Sequence, residues 1–138
     1  MMKESAQMDE IDKEILAILT ENSRLSNKEI GQLIHMTGQA VGNRITKMIE
    51  NGTIKKFTIE INRQRTQFIR IYMDSNRFEA FEKMVNAHEE ITSFCKISGQ
   101  ACYMVTAHFT DEALGEFIDE LADWARYTIE TVLSDRLD

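Results

Sequence analysis

The chain has 138 residues, 43% hydrophobic and 28% charged, with six glycines and no proline; this suits one domain or two modules of ~60 to 70 residues and excludes collagenous, proline-rich and disordered chains. The net charge of −7 is an average over two unlike halves, since Asn22 to Arg65 holds eight basic and three acidic residues (+5) while Thr66 to Asp138 holds six and fourteen (−8). Two cysteines cannot build a disulfide scaffold, three scattered histidines (His35, His88, His108) lack metal-ligand spacing, and no apolar run nears the ~20 residues of a membrane span.

Met1 to Asp12 is polar, unlike a signal peptide, so a cytoplasmic chain without membrane segment, cofactor or metal is expected. The basic front half suits a polyanion such as double-stranded DNA. Asp9, with Asp12 three residues on, predicts the start of a first helix whose Ile11, Ile15, Ile18 and Leu19 share a face and which runs to about Glu21. Ser26-Asn27-Lys28-Glu29 is a capping-box pattern opening a second, two-turn helix with Ile30, Leu33 and Ile34 inward. After the tight turn His35 to Gly38, Thr37 caps a third helix bearing Val41, Ile45, Met48 and Ile49, which Asn51-Gly52 stops. Three such helices predict a helix-turn-helix, and the alternation from Thr53 to Ile61 predicts a strand serving as its wing.

As the recognition helix, the third helix offers Gln39, Asn43, Arg44 and Lys47 to a major groove. Gln and Asn suit adenine and Arg suits guanine, while Lys47, Lys55 and Lys56 suit phosphates. Arg44 has a second reading as a bridge between helices, because it adjoins the Val41/Ile45 face. Gly38 and Gly42 are unfavourable in a helix and would let the backbone come close to a sugar-phosphate chain.

Asn62 to Gln67 is a polar linker, after which the pattern runs strand, helix, strand, strand, helix, strand. The strands are expected over Phe68 to Asp74, Thr92 to Ser98, Ala101 to Phe109 and Tyr127 to Leu133, with a box at Asn76-Arg77-Phe78-Glu79 opening one helix and Thr110 capping the other. The fold class is therefore α+β: a winged helix-turn-helix over 1–61, a linker over 62–67, and a ferredoxin-like βαββαβ domain over 68–138. A hairpin centred on Gly99-Gln100 sets Ile97 opposite Cys102 and Cys95 opposite Met104, and this set is expected on the helix side, with Phe94, Tyr103, Val105 and Ala107 on the other. Two apolar faces predict that a second subunit covers the one without helices. Both thiols are expected reduced and buried, since their diagonal placement is poor disulfide geometry. No Ser/His/Asp set, phosphate-binding glycine loop or paired carboxylate motif suggests catalysis.

Across about 130 of the 138 positions the sequence resembles the Lrp/AsnC (leucine-responsive, feast/famine) transcription regulators. The resemblance is carried by Met8-Asp9-Glu10-Ile11-Asp12, Asn22-Ser23-Arg24-Leu25-Ser26, Val41-Gly42-Asn43-Arg44-Ile45, Glu50-Asn51-Gly52-Thr53-Ile54-Lys55 and Ile97-Ser98-Gly99-Gln100-Ala101-Cys102-Tyr103-Met104. It implies dimers formed through the sheets, assembly to tetramers or octamers, and DNA bending or wrapping. It also implies an amino-acid effector site between dimers around Ser98, Gly99, Gln100, Ala101 and Cys102. Departures from the family pattern are Cys102, where an acidic residue is common, Gly38, where proline is common, and a short linker. The architecture also resembles the siroheme decarboxylases, which gives an enzymatic alternative, and an effector-binding partner protein without DNA binding is another.

Overall fold

Asp9 accepts a hydrogen bond from the Asp12 amide at 2.8 Å, which satisfies one of the free N–H groups at the start of α1 (Glu10–Glu21). The computed structural model describes residues 8–137, so the outer domain limits expected at 1 and 138 lie outside the described residues. The chain divides into two units, Met1–Glu60 and Ile61–Asp138.

In the first unit, α2 (Asn27–Ile34) begins with a reciprocal cap: Ser26 Oγ accepts from the Glu29 amide at 3.1 Å, and the Ser26 amide donates to Glu29 Oε1 at 3.0 Å. That backbone hydrogen bond holds the Glu29 carboxyl below its ordinary pKa. Thr37 caps α3 (Gly38–Glu50) through the Ala40 amide at 3.1 Å. Ile15, Ile30, Val41 and Met48 are buried together, each helix contributing its apolar stripe.

Three residues join α2 to α3, and two backbone features make so short a turn fit. His35 takes the left-handed conformation (φ 60°) as C-cap, and the Met36 amide donates back to the Gly31 carbonyl at 2.8 Å. The Met36 carbonyl then lies so close to Gly31 that a Cβ there would sit 2.2 Å from its oxygen. Gly31 did not stand out in the sequence.

The expected wing is not a strand in the structure: residues 55–66 form neither helix nor strand, and Phe57, Ile59 and Ile61 along them are exposed. Alternating residues become a strand only when another strand takes their backbone hydrogen bonds, and none among the described residues does so.

The second unit is a four-stranded antiparallel sheet in the order β2-β3-β1-β4. Its elements are β1 (Gln67–Met73), α4 (Phe78–Asn86), β2 (Ile91–Lys96), β3 (Tyr103–Ala107), α5 (Asp111–Ala122) and β4 (Ala125–Thr131), the ferredoxin-like order. Gln67, expected to end the linker, is the first residue of β1 and 1% exposed. Its amide donates to the Phe109 carbonyl and accepts from the Phe109 amide, both at 3.0 Å, so the side chain satisfies the backbone just past β3. β4 starts two residues earlier than expected, and Leu133 is almost fully exposed.

The expected register holds, with Cys95 opposite Met104 and the Ile97 amide bonded to the Cys102 carbonyl at 3.0 Å. The expected facing is reversed. Tyr103, Val105 and Ala107, with Ile69 and Ile71, are buried together with Phe81, Val85, Phe117 and Leu121 of the helices, and Phe94 packs on this core. Alternation separates two faces without saying which one the helices cover; the aromatic contacts of Phe81 with Tyr103 (5.4 Å) and Phe94 (6.2 Å) belong to the covered one. Cys95 is therefore exposed rather than buried, Cys102 is half-buried, and both are free thiols.

The box expected at the start of α4 is also absent. The helix begins one residue late, with Arg77 as N-cap and no side-chain cap, and the Arg77 amide donates to Ser75 Oγ at 3.3 Å.

Burial, and then the hydrogen bond from its hydroxyl to Glu82 Oε2 at 2.9 Å, pushes the Tyr103 phenol up from 10.0 to about 12. The folded protein holds this proton more tightly than the unfolded chain, so the linked stability is present below pH 10 and is lost as pH rises through about 12. In an alkaline titration one of the three tyrosines is expected to ionise late, and Tyr103→Phe should remove that step together with its share of the alkaline stability loss. An unchanged titration in Tyr103→Phe would assign the late step elsewhere.

Candidate nucleic-acid interface

Burial of Val41 and Met48 fixes which side of α3 is left outside. Gln39, Asn43 and Lys47 follow one another at four-residue intervals along that outer side, and all three are exposed. Thr46 lies beside them and is exposed as well, a short hydrogen-bonding side chain not singled out in the sequence. Its signal was its position three residues after Asn43, which places it on the same stripe.

Arg44, the fourth expected reader, points elsewhere. Its Nη1 lies 2.6 Å from Asp9 Oδ2 and 3.1 Å from Asp12 Oδ1, and its side chain is 28% exposed. The Arg44 guanidinium holds the Asp9 carboxyl below its ordinary value, and the two carboxylates in turn raise the Arg44 pKa. A depression of about 740 Å³ is lined by Asp9, Asp12, Asn43, Arg44 and Lys47, among others.

Gly38 and Gly42 serve the contact between α2 and α3. A Cβ on Gly38 would meet the Lys28 backbone nitrogen at 3.1 Å, and one on Gly42 would meet Asn27 Nδ2 at 2.9 Å. The close approach expected of these glycines is therefore made to the first turn of α2. Lys55 and Lys56 are exposed in the irregular segment after α3, and Lys28 adds an exposed cation at the start of α2.

In the second unit, Ser98, Gly99 and Gln100 form the exposed tip of the β2–β3 connection, with Gly99 at φ 123°. Ala101 is 7% exposed, and the Cys102 amide donates to the Ile71 carbonyl at 2.8 Å. This anchors the base of the hairpin to β1. Both ring nitrogens of His108 have partners, Nδ1 with Thr66 Oγ1 (3.0 Å) and the Arg65 carbonyl (3.1 Å), and Nε2 with Thr92 Oγ1 (2.9 Å). The imidazole ties the chain entering β1 to β2.

Two family models match most of this chain: an AsnC-type helix-turn-helix domain over residues 8–49 and an Lrp/AsnC ligand binding domain over residues 66–136. The chain belongs to the Lrp/AsnC family of transcriptional regulators. Among its Lrp/AsnC relatives, the transcriptional regulator LrpB of Bacillus subtilis is 38% identical over 130 residues, 89% of this chain and 87% of that protein. LrpA of the same organism is 32% identical over 133 residues, 91% and 98% of the two chains. The solved structure of B. subtilis LrpC matches with a TM-score of 0.88 at 25% identity, covering 96% and 99%. A Neisseria meningitidis regulator solved as an L-Met complex shares the fold, with a TM-score of 0.84 at 22% identity over 96% and 94%. Among the described residues, no helix of this Lrp/AsnC protein is long and apolar enough to cross a membrane.

Proposed function

We propose that this Lrp/AsnC protein is a cytoplasmic regulator that binds double-stranded DNA with sequence preference and works by binding, without catalysis. The carrying observation is the outer stripe of α3, where Gln39, Asn43 and Lys47 project from a helix whose other side is locked into the core by Val41 and Met48. Gln39 and Asn43 have the donors and acceptors to read base edges, and Lys47, Lys55 and Lys56 supply the phosphate contacts.

The active form is a homodimer that assembles further, to a tetramer or octamer. Support comes from the sheet face opposite the helices, where Phe68 is 41% exposed and lies with Tyr72, Cys95 and Met104. Exposed Phe57, Ile59 and Ile61 add apolar surface that assembly would cover. Linked heads raise a modest single-head affinity through effective concentration. The effector is an amino acid, received at the hairpin Ser98, Gly99, Gln100, Ala101 and Cys102; the match to a ligand binding domain supports it, as does the L-Met complex of the Neisseria regulator.

The test is binding of the full-length protein to its own upstream DNA and to a scrambled duplex across a salt series. If Lys47, Lys55 and Lys56 each neutralise one phosphate, log K should fall against log salt with a slope of roughly −3 per head, and the upstream duplex should be preferred. Equal binding to both duplexes would overturn the sequence preference, and absence of binding to either would leave the partner-protein alternative.

A further inference from the structure

We propose that Arg44 is a positioning residue rather than a base reader: with Asp9 and Asp12 it clamps the middle of α3 to the first turn of α1 and so sets the rotation of Asn43 and Lys47 about the α3 axis. The inference rests on the DNA-reading function of α3 and adds to it the part that holds the readers in place.

Three observations carry it. Arg44 Nη1 contacts both carboxylates, Asp9 at 2.6 Å and Asp12 at 3.1 Å, whereas recognition of guanine needs the guanidinium fork aimed at O6 and N7. To reach a base, Arg44 would have to abandon a charge-assisted pair that is partly shielded from solvent, with Asp12 only 18% exposed. The second observation is that Asp9 is itself fixed. Asp9 caps α1 through its other oxygen, Oδ1, which accepts the Asp12 amide at 2.8 Å, so the same carboxylate ends one helix and grips another. The third is placement: Asp9, Asp12 and Arg44 line one depression with Asn43 and Lys47, Arg44 standing next to Asn43 and one turn before Lys47. Paired amide contacts to a base tolerate displacements of only about 0.5 Å. A helix free to roll would spoil all of its contacts together.

The experiment enriches duplexes from a randomised pool with the full-length protein and compares the preferred sequence with those of Arg44→Ala, Arg44→Lys and Asp9→Asn/Asp12→Asn. Asparagine caps a helix as well as aspartate and matches it in shape, so the last variant removes the clamp's charges while leaving the helix start intact. Arg44→Ala and the double asparagine variant are both expected to weaken preference at every enriched position together, by about tenfold overall. Arg44→Lys should retain part of the preference. The salt slope should change alike, by at most about 0.9, in Arg44→Ala and in the double asparagine variant, since among the phosphate contacts only Lys47 lies on α3.

Loss of preference at one base pair alone in Arg44→Ala, with the others intact, would overturn the proposal and make Arg44 a reader. Undiminished preference in Asp9→Asn/Asp12→Asn would overturn it too, and this arm decides the matter even where Arg44→Ala fails to fold. If the unaltered protein enriches no sequence, both the clamp and the DNA-reading function fall; the single-position result removes the clamp alone.

Discussion

Gly31→Ala is expected to cost about 3 kcal/mol or more and to dismantle the helix-turn-helix. The added Cβ would stand 2.2 Å from the Met36 carbonyl oxygen, and a carbonyl fixed in a three-residue turn cannot swing away as a side chain can. Relief requires the turn to open, which gives up the Met36-to-Gly31 hydrogen bond and separates Ile30 from Val41 in the shared core. A unit of about 60 residues has little stability to spare. Amide hydrogen exchange should show α2 and α3 losing protection while β1 to β4, built around their own core, keep theirs. Gly42→Ala provides a contrast, since its new Cβ meets the end of the Asn27 side chain, which can rotate aside, and its cost should be far smaller. Gly115→Ala in α5 meets nothing within 4 Å and should stabilise by roughly 0.5–1 kcal/mol. Equal unfolding free energies for Gly31→Ala and the unaltered protein would show that the turn yields easily and remove the argument.

The Gln39→Ala/Asn43→Ala protein should fold normally and lose its discrimination between preferred and scrambled duplexes by at least about 30-fold, since each paired amide contact is worth ~1–3 kcal/mol. Both side chains are exposed, so stability should move by less than about 0.5 kcal/mol. The salt slope should stay the same, because neither amide neutralises a phosphate. Lys47→Ala should do the reverse, lowering the slope by about 0.9 and weakening binding to both duplexes alike. Two alanine replacements that leave the preferred-to-scrambled ratio unchanged would take base reading away from this face of α3.

Local rules accounted for the helices of the first unit. Asp9, Ser26 and Thr37 cap the helices that follow them, because a cap is a hydrogen bond between residues two or three apart and the sequence contains both partners. The exposed stripe of α3 was legible for the same reason, as helical spacing places Gln39, Asn43 and Lys47 on one side whatever surrounds it. The hairpin register followed from Gly99 and its neighbours, another local constraint. The start of α4 is an exception, since the pattern from Asn76 to Glu79 reads as a box but the helix begins at Phe78 without a side-chain cap, and a local pattern does not by itself decide where packing starts a helix.

What escaped the sequence depends on partners distant along the chain. Whether Phe94 or Cys95 faces the helices is decided by Phe81 and Phe117 arriving from elsewhere. The wing failed as a strand because alternation supplies side-chain facing but not a hydrogen-bonded neighbour. Gly31 is silent as a letter, and only the returning Met36 carbonyl makes it necessary. For Arg44 the sequence offered base reader and helix bridge on equal terms; the guanidinium meets Asp9 and Asp12 more than 30 residues away, a contact that exists only once α1 and α3 are packed. The sequence by itself determined the order of elements, the helix caps of the first unit, the family resemblance and the exposed stripe of α3, all of which rest on spacing along the backbone. Tertiary structure alone decided which sheet face is covered, which glycine the turn requires and where the Arg44 charge is held, because those depend on distances that only packing creates.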